Sequence, residues 1–195
     1  MILQLHKRKM AIAGMVMTTY LIFHVLTNLS FFCEESFKGF YEWYNGGPVR
    51  WLVLLVMVVA VGIHVAAAIK IRKANAKARR IQYTKHDKFH IPAIFVTLSI
   101  IFLLAFIVVH VVQTLFFDSM DVYYELQELF QSELMVLFYL AGLFVLMMHL
   151  SHSLANVLQT LGKTSVTCHA LVWTGVLLLT GGFASIPLYI YFGMS

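Results

Sequence analysis

The chain has 195 residues, 61% of them hydrophobic and 12% charged, with a formal net charge of +5. Soluble domains hold roughly a quarter charged residues, so this composition excludes an ordinary water-soluble enzyme and points to lipid. The positive charge is segregated by side of the apolar runs, which excludes a nucleic-acid-binding surface as its meaning.

A transmembrane helix needs about 20 mainly apolar residues. Five segments qualify, roughly 10–32, 51–70, 92–117, 133–159 and 167–192. They predict an all-α, integral-membrane five-helix bundle forming a single domain over 1–195, with no room for a soluble catalytic domain. The first segment follows Lys7, Arg8 and Lys9 and contains Ala11, Ala13 and Gly14, small residues that permit close helix contact. His24 and Asn28 share one face of it. A basic start before an apolar run also resembles a signal peptide. This run is long, no small-residue cleavage site follows it and it contains His24, so it reads as an uncleaved span.

The next connection, CEESFKGFYEWYNGGPVRW, is rich in aromatic residues, as an interfacial belt is. Asn45-Gly46-Gly47-Pro48 marks a turn within it. The second segment carries Gly62 and His64 and runs into KIRKANAKARRIQYTKHDKFH, too basic to enter lipid. The eight positive charges between Lys70 and Lys88 place this connection against anionic headgroups or a partner subunit. The third segment begins near Pro92, a favourable first-turn residue, and carries His110 and Gln113. DVYYELQELFQSE then has the pattern of a short amphipathic helix lying in the interface. In the fourth segment Gly142 and His149 are two turns apart on one face, and the run turns polar at Ser151, His152, Ser153 and Asn156. The fifth holds Thr180, Gly181 and Gly182 at its middle with Pro187 beyond, a pattern for a kink or for close packing.

Twelve of the 14 basic residues precede the first segment or lie between segments two and three or four and five. Eight of the nine acids lie in the other two connections. The positive-inside rule then predicts a cytoplasmic N-terminus and an outside C-terminus. Cys33 and Cys168 fall on opposite sides and are not expected to pair.

Each of the first four segments carries one deep histidine, His24, His64, His110 and His149, and the fifth carries none. A polar ring at that depth is costly unless it has a partner, so each is a candidate functional residue. At 1.5 Å per residue, His24 and His110 lie roughly 12–15 Å from the outer charges Glu34 and Asp118, and His64 and His149 roughly 21–24 Å from Arg50 and Glu133. Two levels result, each drawing on two helices. A bis-histidine b-type haem needs two neutral imidazoles facing each other from separate helices, so the pattern predicts two haem b groups, one held by His24 and His110 and one by His64 and His149. Histidines bonded to neighbouring carbonyls are one alternative. A His-lined metal or proton transporter is another, but such sites recruit carboxylates and none lies inside an apolar run, Glu133 standing only at the edge of the fourth. Of the other histidines, His6 and His86 read as solvated and His90 and His169 as interfacial. His152 stands one turn beyond His149, toward haem propionates, a quinone or the interface. Met147 and Met148 read as packing.

The segments LIFHVLTNL, GIHVAAAI, VVHVVQT and HLSHSLANVLQTLG, in this order and spacing, resemble the dihaem cytochrome b subunit of succinate:quinone oxidoreductases, the bacterial succinate dehydrogenases and fumarate reductases with a single five-helix anchor. The resemblance covers nearly the whole chain. It implies the same pairing of His24 with His110 and His64 with His149 as axial ligands of the haem irons. It implies a multi-pass subunit of the bacterial cytoplasmic (inner) membrane that anchors a flavoprotein and an iron–sulfur subunit on the cytoplasmic face. Electrons pass in that family between the iron–sulfur clusters, the haems and menaquinone or another quinone, so the chain would be part of an enzyme and not a complete one. Some members carry a glutamate two residues before the fourth ligand, linked to proton transfer; here that position is Met147. The alternative is a dihaem cytochrome b of a hydrogenase, formate dehydrogenase or nitrate reductase, which distribute their ligands differently.

A quinone site near the outer haem would need a proton-exchanging group. Glu34, Glu35 and Glu42, with Glu125 and Glu128, lie in aromatic surroundings, where partial desolvation raises a carboxyl pKa toward neutrality; solvated loop charges are the alternative. Glu42, flanked by Tyr41 and Trp43, comes first, then Glu35, with Gln113 placed to hydrogen-bond a quinone carbonyl. Arg72, His152 and Lys163 are candidates for the inner propionates or serve topology alone.

Overall fold

A computed structural model describes residues 2–78, 93–118, 121–160 and 165–194. Arg79, Arg80, Lys85, His86, Lys88, His90, Pro92 and Lys163 lie outside them. The helices are α1 (Ile2–Leu29, followed by a 3-10 turn Ser30–Phe32), α2 (Glu34–Asn45), α3 (Val49–Ala78), α4 (Ala93–Phe116), α5 (Val122–Gln131), α6 (Glu133–Thr160) and α7 (Val166–Gly193), and there is no strand among the described residues. Five of them, α1, α3, α4, α6 and α7, are long and apolar enough to cross a membrane. Large apolar side chains such as Phe23, Leu55, Ile101, Phe144 and Leu178 are exposed, which suits acyl chains as the surrounding solvent.

The helices overrun the apolar segments where the flanks favour helix. α1 starts at Ile2 and not near Met10, and α3 runs to Ala78 and not to residue 70. The first extension, ILQLHKRK, is made largely of Leu, Gln, Lys and Arg, and the second, IRKANAKA, of Lys, Arg and Ala, residues that lose little on entering a helix and need no lipid to do so. The aromatic connection after the first span is itself a helix, α2, where the sequence was read as an interfacial belt and a turn. Its inward face is set by Phe37 and Tyr41, four residues apart, and Glu34 and Glu35 occupy the first turn, where the helix dipole favours acids. The chain bends at residues 46–48, within the stretch expected to turn. α5 forms where the amphipathic pattern placed it. α7 continues through Gly181, Gly182 and the buried Pro187 as one helix, capped by Ser165, whose hydroxyl accepts from the Cys168 N–H at 3.2 Å.

The chain divides into two compact units. The first comprises the described residues within Met1–His24 and Trp43–His90, the second those within Val25–Glu42 and Ile91–Ser195, so α1 passes from one to the other between His24 and Val25. In the first, Ala13, Ala60 and Ala67 are buried. In the second, a mainly aromatic core joins Phe31, Phe37, Phe106, Tyr123, Phe130 and Tyr139 with Leu103, Val136, Ile186 and Ile190. Its rings run in series, with Phe31 stacked on Tyr123 at 4.7 Å, edge-on to Phe37 at 5.5 Å, and Phe130 edge-on to Tyr139 at 4.9 Å. Offset and edge-to-face pairs of this kind add about 0.5–1.5 kcal/mol each beyond their buried area. Glycines allow the closest approaches. A Cβ on Gly142 would lie 2.4–2.6 Å from the Phe106 ring, and one on Gly182 2.9 Å from Val25 Cγ2. The close packing expected of the last span is thus found at Gly182, whereas Gly181 faces open space.

Candidate functional site

All four deep histidines are partly buried on their helices. In the first unit, His24 stacks on Tyr20 one turn earlier in α1, with centroids 5.2 Å apart and planes 13° from parallel. His64 of α3 places Nδ1 3.1 Å from the Met10 carbonyl oxygen of α1. A carbonyl only accepts, so Nδ1 carries the hydrogen and the lone pair sits on Nε2. The His64 ring lies over α1 at Gly14, where a Cβ would stand 3.6 Å from both Cε1 and Nδ1. Alanine would make an ordinary contact there, and a longer side chain would meet the imidazole. The same unit has a cleft of about 320 Å³ between Val16, Tyr20 and Phe23 of α1 and Leu52, Val56 and Met57 of α3.

In the second unit, His110 of α4 is set between two aromatic rings. Phe106, one turn earlier, stacks at 6.2 Å, and Tyr139 of α6 stands edge-on at 5.8 Å. The Tyr139 hydroxyl donates to Gln113 Oε1 at 2.9 Å and lies 3.2 Å from His110 Nδ1. With its single hydrogen committed to Gln113, the hydroxyl oxygen accepts from His110, which again puts the imidazole lone pair on Nε2. Gln113 completes the series by donating from Nε2 to Met135 Sδ at 3.4 Å. Gln113 is therefore turned into the protein, toward the His110 support. His149 sits on α6 beside a polar turn in which the buried Ser151 hydroxyl donates to the Met147 carbonyl at 2.8 Å. His152 is exposed, its Nε2 at 3.1 Å from Asn156 Nδ2. His169 Nδ1 lies 3.1 Å from the Ser165 carbonyl at the start of α7.

The candidate carboxylates of α2 differ in setting. Glu34 is 2.7 Å from Lys38 Nζ and 3.5 Å from the Tyr124 hydroxyl, and the Lys38 ammonium lies 4.2 Å over the Tyr124 ring. The hydrogen bonds to Glu34 and then to Tyr124 hold the Lys38 pKa above its ordinary value. Glu35 and Glu42 are exposed. Arg72 is exposed near the end of α3. Among the described residues no three His, Cys, Asp or Glu side chains converge, so a site of the zinc kind, with three or four such ligands, has no counterpart there.

Tyr139 was not singled out in the sequence. The signal was present. Tyr139, Gly142, Leu146 and His149 recur at helical spacing, so a hydroxyl-bearing ring shares the face of the small residue and the imidazole. No family model, curated protein or solved structure matches the chain.

Proposed function

We propose that this chain is the dihaem cytochrome b subunit of a succinate:quinone oxidoreductase, which anchors its flavoprotein and iron–sulfur partners and carries electrons between them and a membrane quinone. The observation that carries the reading is the set of four partly buried imidazoles, one on each of the first four spans, two of them fixed through Nδ1. Haem-ligating histidines bind iron through one ring nitrogen while the other donates to a carbonyl or hydroxyl, which sets tautomer and ring plane. The residues therefore fit the group. His24 with His110 and His64 with His149 would hold the two irons, a pairing that rests on depth along the spans. Bound haem supplies a one-electron carrier.

The chain itself supplies orientation and exclusion of water. Met10 fixes the His64 imidazole, Tyr139 fixes that of His110, and the aromatic core from Phe31 to Tyr139 keeps water from the latter. With the N-terminus in the cytoplasm, the exposed Lys70, Lys73 and Lys77 at the end of α3 face the soluble partners or anionic headgroups.

Pyridine haemochrome quantitation on the purified subunit is expected to give two b haems per polypeptide, reducible by succinate in the assembled complex. One haem or none per chain would overturn the reading. For the quinone site, Glu42→Gln and Glu35→Gln are expected to slow quinone turnover severalfold while haem content and dye-linked succinate oxidation stay unchanged. Full quinone turnover in both variants would remove these carboxyl groups from the proton path.

A further inference from the structure

We infer that Tyr139 and Gln113 are positioning residues for His110, and that their hydrogen-bond series holds down the reduction potential of the haem this histidine ligates. The inference rests on the haem reading above and adds to it residues that do not ligate iron. The series is directional. Met135 Sδ receives the Gln113 amide, Gln113 Oε1 receives the Tyr139 hydroxyl hydrogen at 2.9 Å, and the Tyr139 oxygen, 3.2 Å from Nδ1, receives the His110 hydrogen. Donating to Gln113 makes the Tyr139 oxygen a stronger acceptor, since hydrogen bonds in series polarise one another. An imidazole whose Nδ1–H is drawn toward an acceptor is a more basic ligand and favours the oxidised metal.

The geometry is held from several sides. Tyr139 is buried, with its ring edge-on to Phe106 at 5.4 Å and to Phe130 at 4.9 Å, so it has little freedom to turn away. Gln113 and His110 are three residues apart on α4 and approach the same hydroxyl of α6, so the bond also fixes one helix against the other. His64 is anchored on a backbone carbonyl, which no side-chain replacement removes. The two levels thus differ in kind, one imidazole being tuned by side chains and one by main chain.

The test is redox titration of the purified dihaem subunit, with the haem of interest identified as the one lost in His110→Ala. Tyr139→Phe keeps the ring and its packing and removes only the oxygen. At fixed potential it is expected to raise the reduced-to-oxidised ratio of that haem by about two- to tenfold, the scale of one ordinary hydrogen bond. Tenfold is about 59 mV for a one-electron couple. Gln113→Leu, which leaves Tyr139 in place, is expected to move the same haem in the same direction by less, and the other haem is expected to stay put in both. Unchanged midpoints with both haems retained would overturn the inference. If Tyr139→Phe loses the haem, Gln113→Leu decides: a positive shift supports the tuning role, and no shift or a second loss overturns it. A wild-type chain without haem would fail the proposed function first and this inference with it, whereas unchanged potentials in a dihaem protein defeat this inference alone.

Discussion

His110→Ala is expected to abolish one of two b-type absorbances and leave the other near full intensity. An iron held between two imidazoles loses half of its protein ligation when one is cut back to a methyl group, and the rings that pack on His110, Phe106 and Tyr139, offer no imidazole in its place. The four alanine variants then sort into two spectral phenotypes. His24→Ala and His110→Ala lose one haem; His64→Ala and His149→Ala lose the other. Reduced-minus-oxidised spectra of membranes containing each variant make the comparison. Identical loss in His24→Ala and His149→Ala would show the pairing by depth to be wrong.

The second large effect lies at Gly142. In a helix interior, glycine to alanine ordinarily gains about 0.8–1.0 kcal/mol from propensity. Here the new methyl carbon would stand 2.4–2.6 Å from three atoms of the Phe106 ring, well inside contact distance. Phe106 is buried and cannot simply swing aside, because its ring is packed against His110, Phe138 and Tyr139. Overpacking a filled core costs about 1–3 kcal/mol, so the clash is expected to outweigh the propensity gain and lower Tm in detergent. Gly142→Leu is expected to lower it further. Phe106→Leu in the Gly142→Ala background is expected to recover part of the loss, since the two positions share one space. An unchanged or raised Tm in Gly142→Ala would contradict the α4–α6 packing described above.

The five spans were legible because a bilayer demands some twenty apolar residues in a row, a signal that overwhelms local detail. α5 was legible from its two-sided pattern, and the Gly142–His149 face from spacing. α2 was not, because Gly39 and a density of aromatic residues mimic an interfacial loop, and what makes it helical is the burial of Phe37 and Tyr41 in a core assembled from distant segments. The ends of α1 and α3 were missed because apolarity marks where a helix meets lipid and says nothing about where helix stops. Gln113 was singled out as a ligand for quinone, and the structure adds its bond to Tyr139, a neighbour on another helix that spacing within α4 cannot reveal. Glu35 and Glu42 were legible as acids among aromatic residues, and both stand exposed on α2.

The contacts of Gly182 bear on how this protein is made. Gly182 of α7 receives Val25 and Leu29 from the end of α1, and Tyr189 meets Phe32 edge-on at 5.1 Å. The end of α1 therefore leaves the ribosome well before the partners that α7 supplies. About 150 residues separate them, which at 5–20 residues per second is a wait of roughly 8–30 s. During that interval the small-residue groove that will close on Val25 does not yet exist. The tail of α1 must be sheltered by lipid or by insertion machinery until α7 arrives. The second unit is thus complete only once α7 has been made, and a chain released before α7 would carry an α1 whose closing surface was never built.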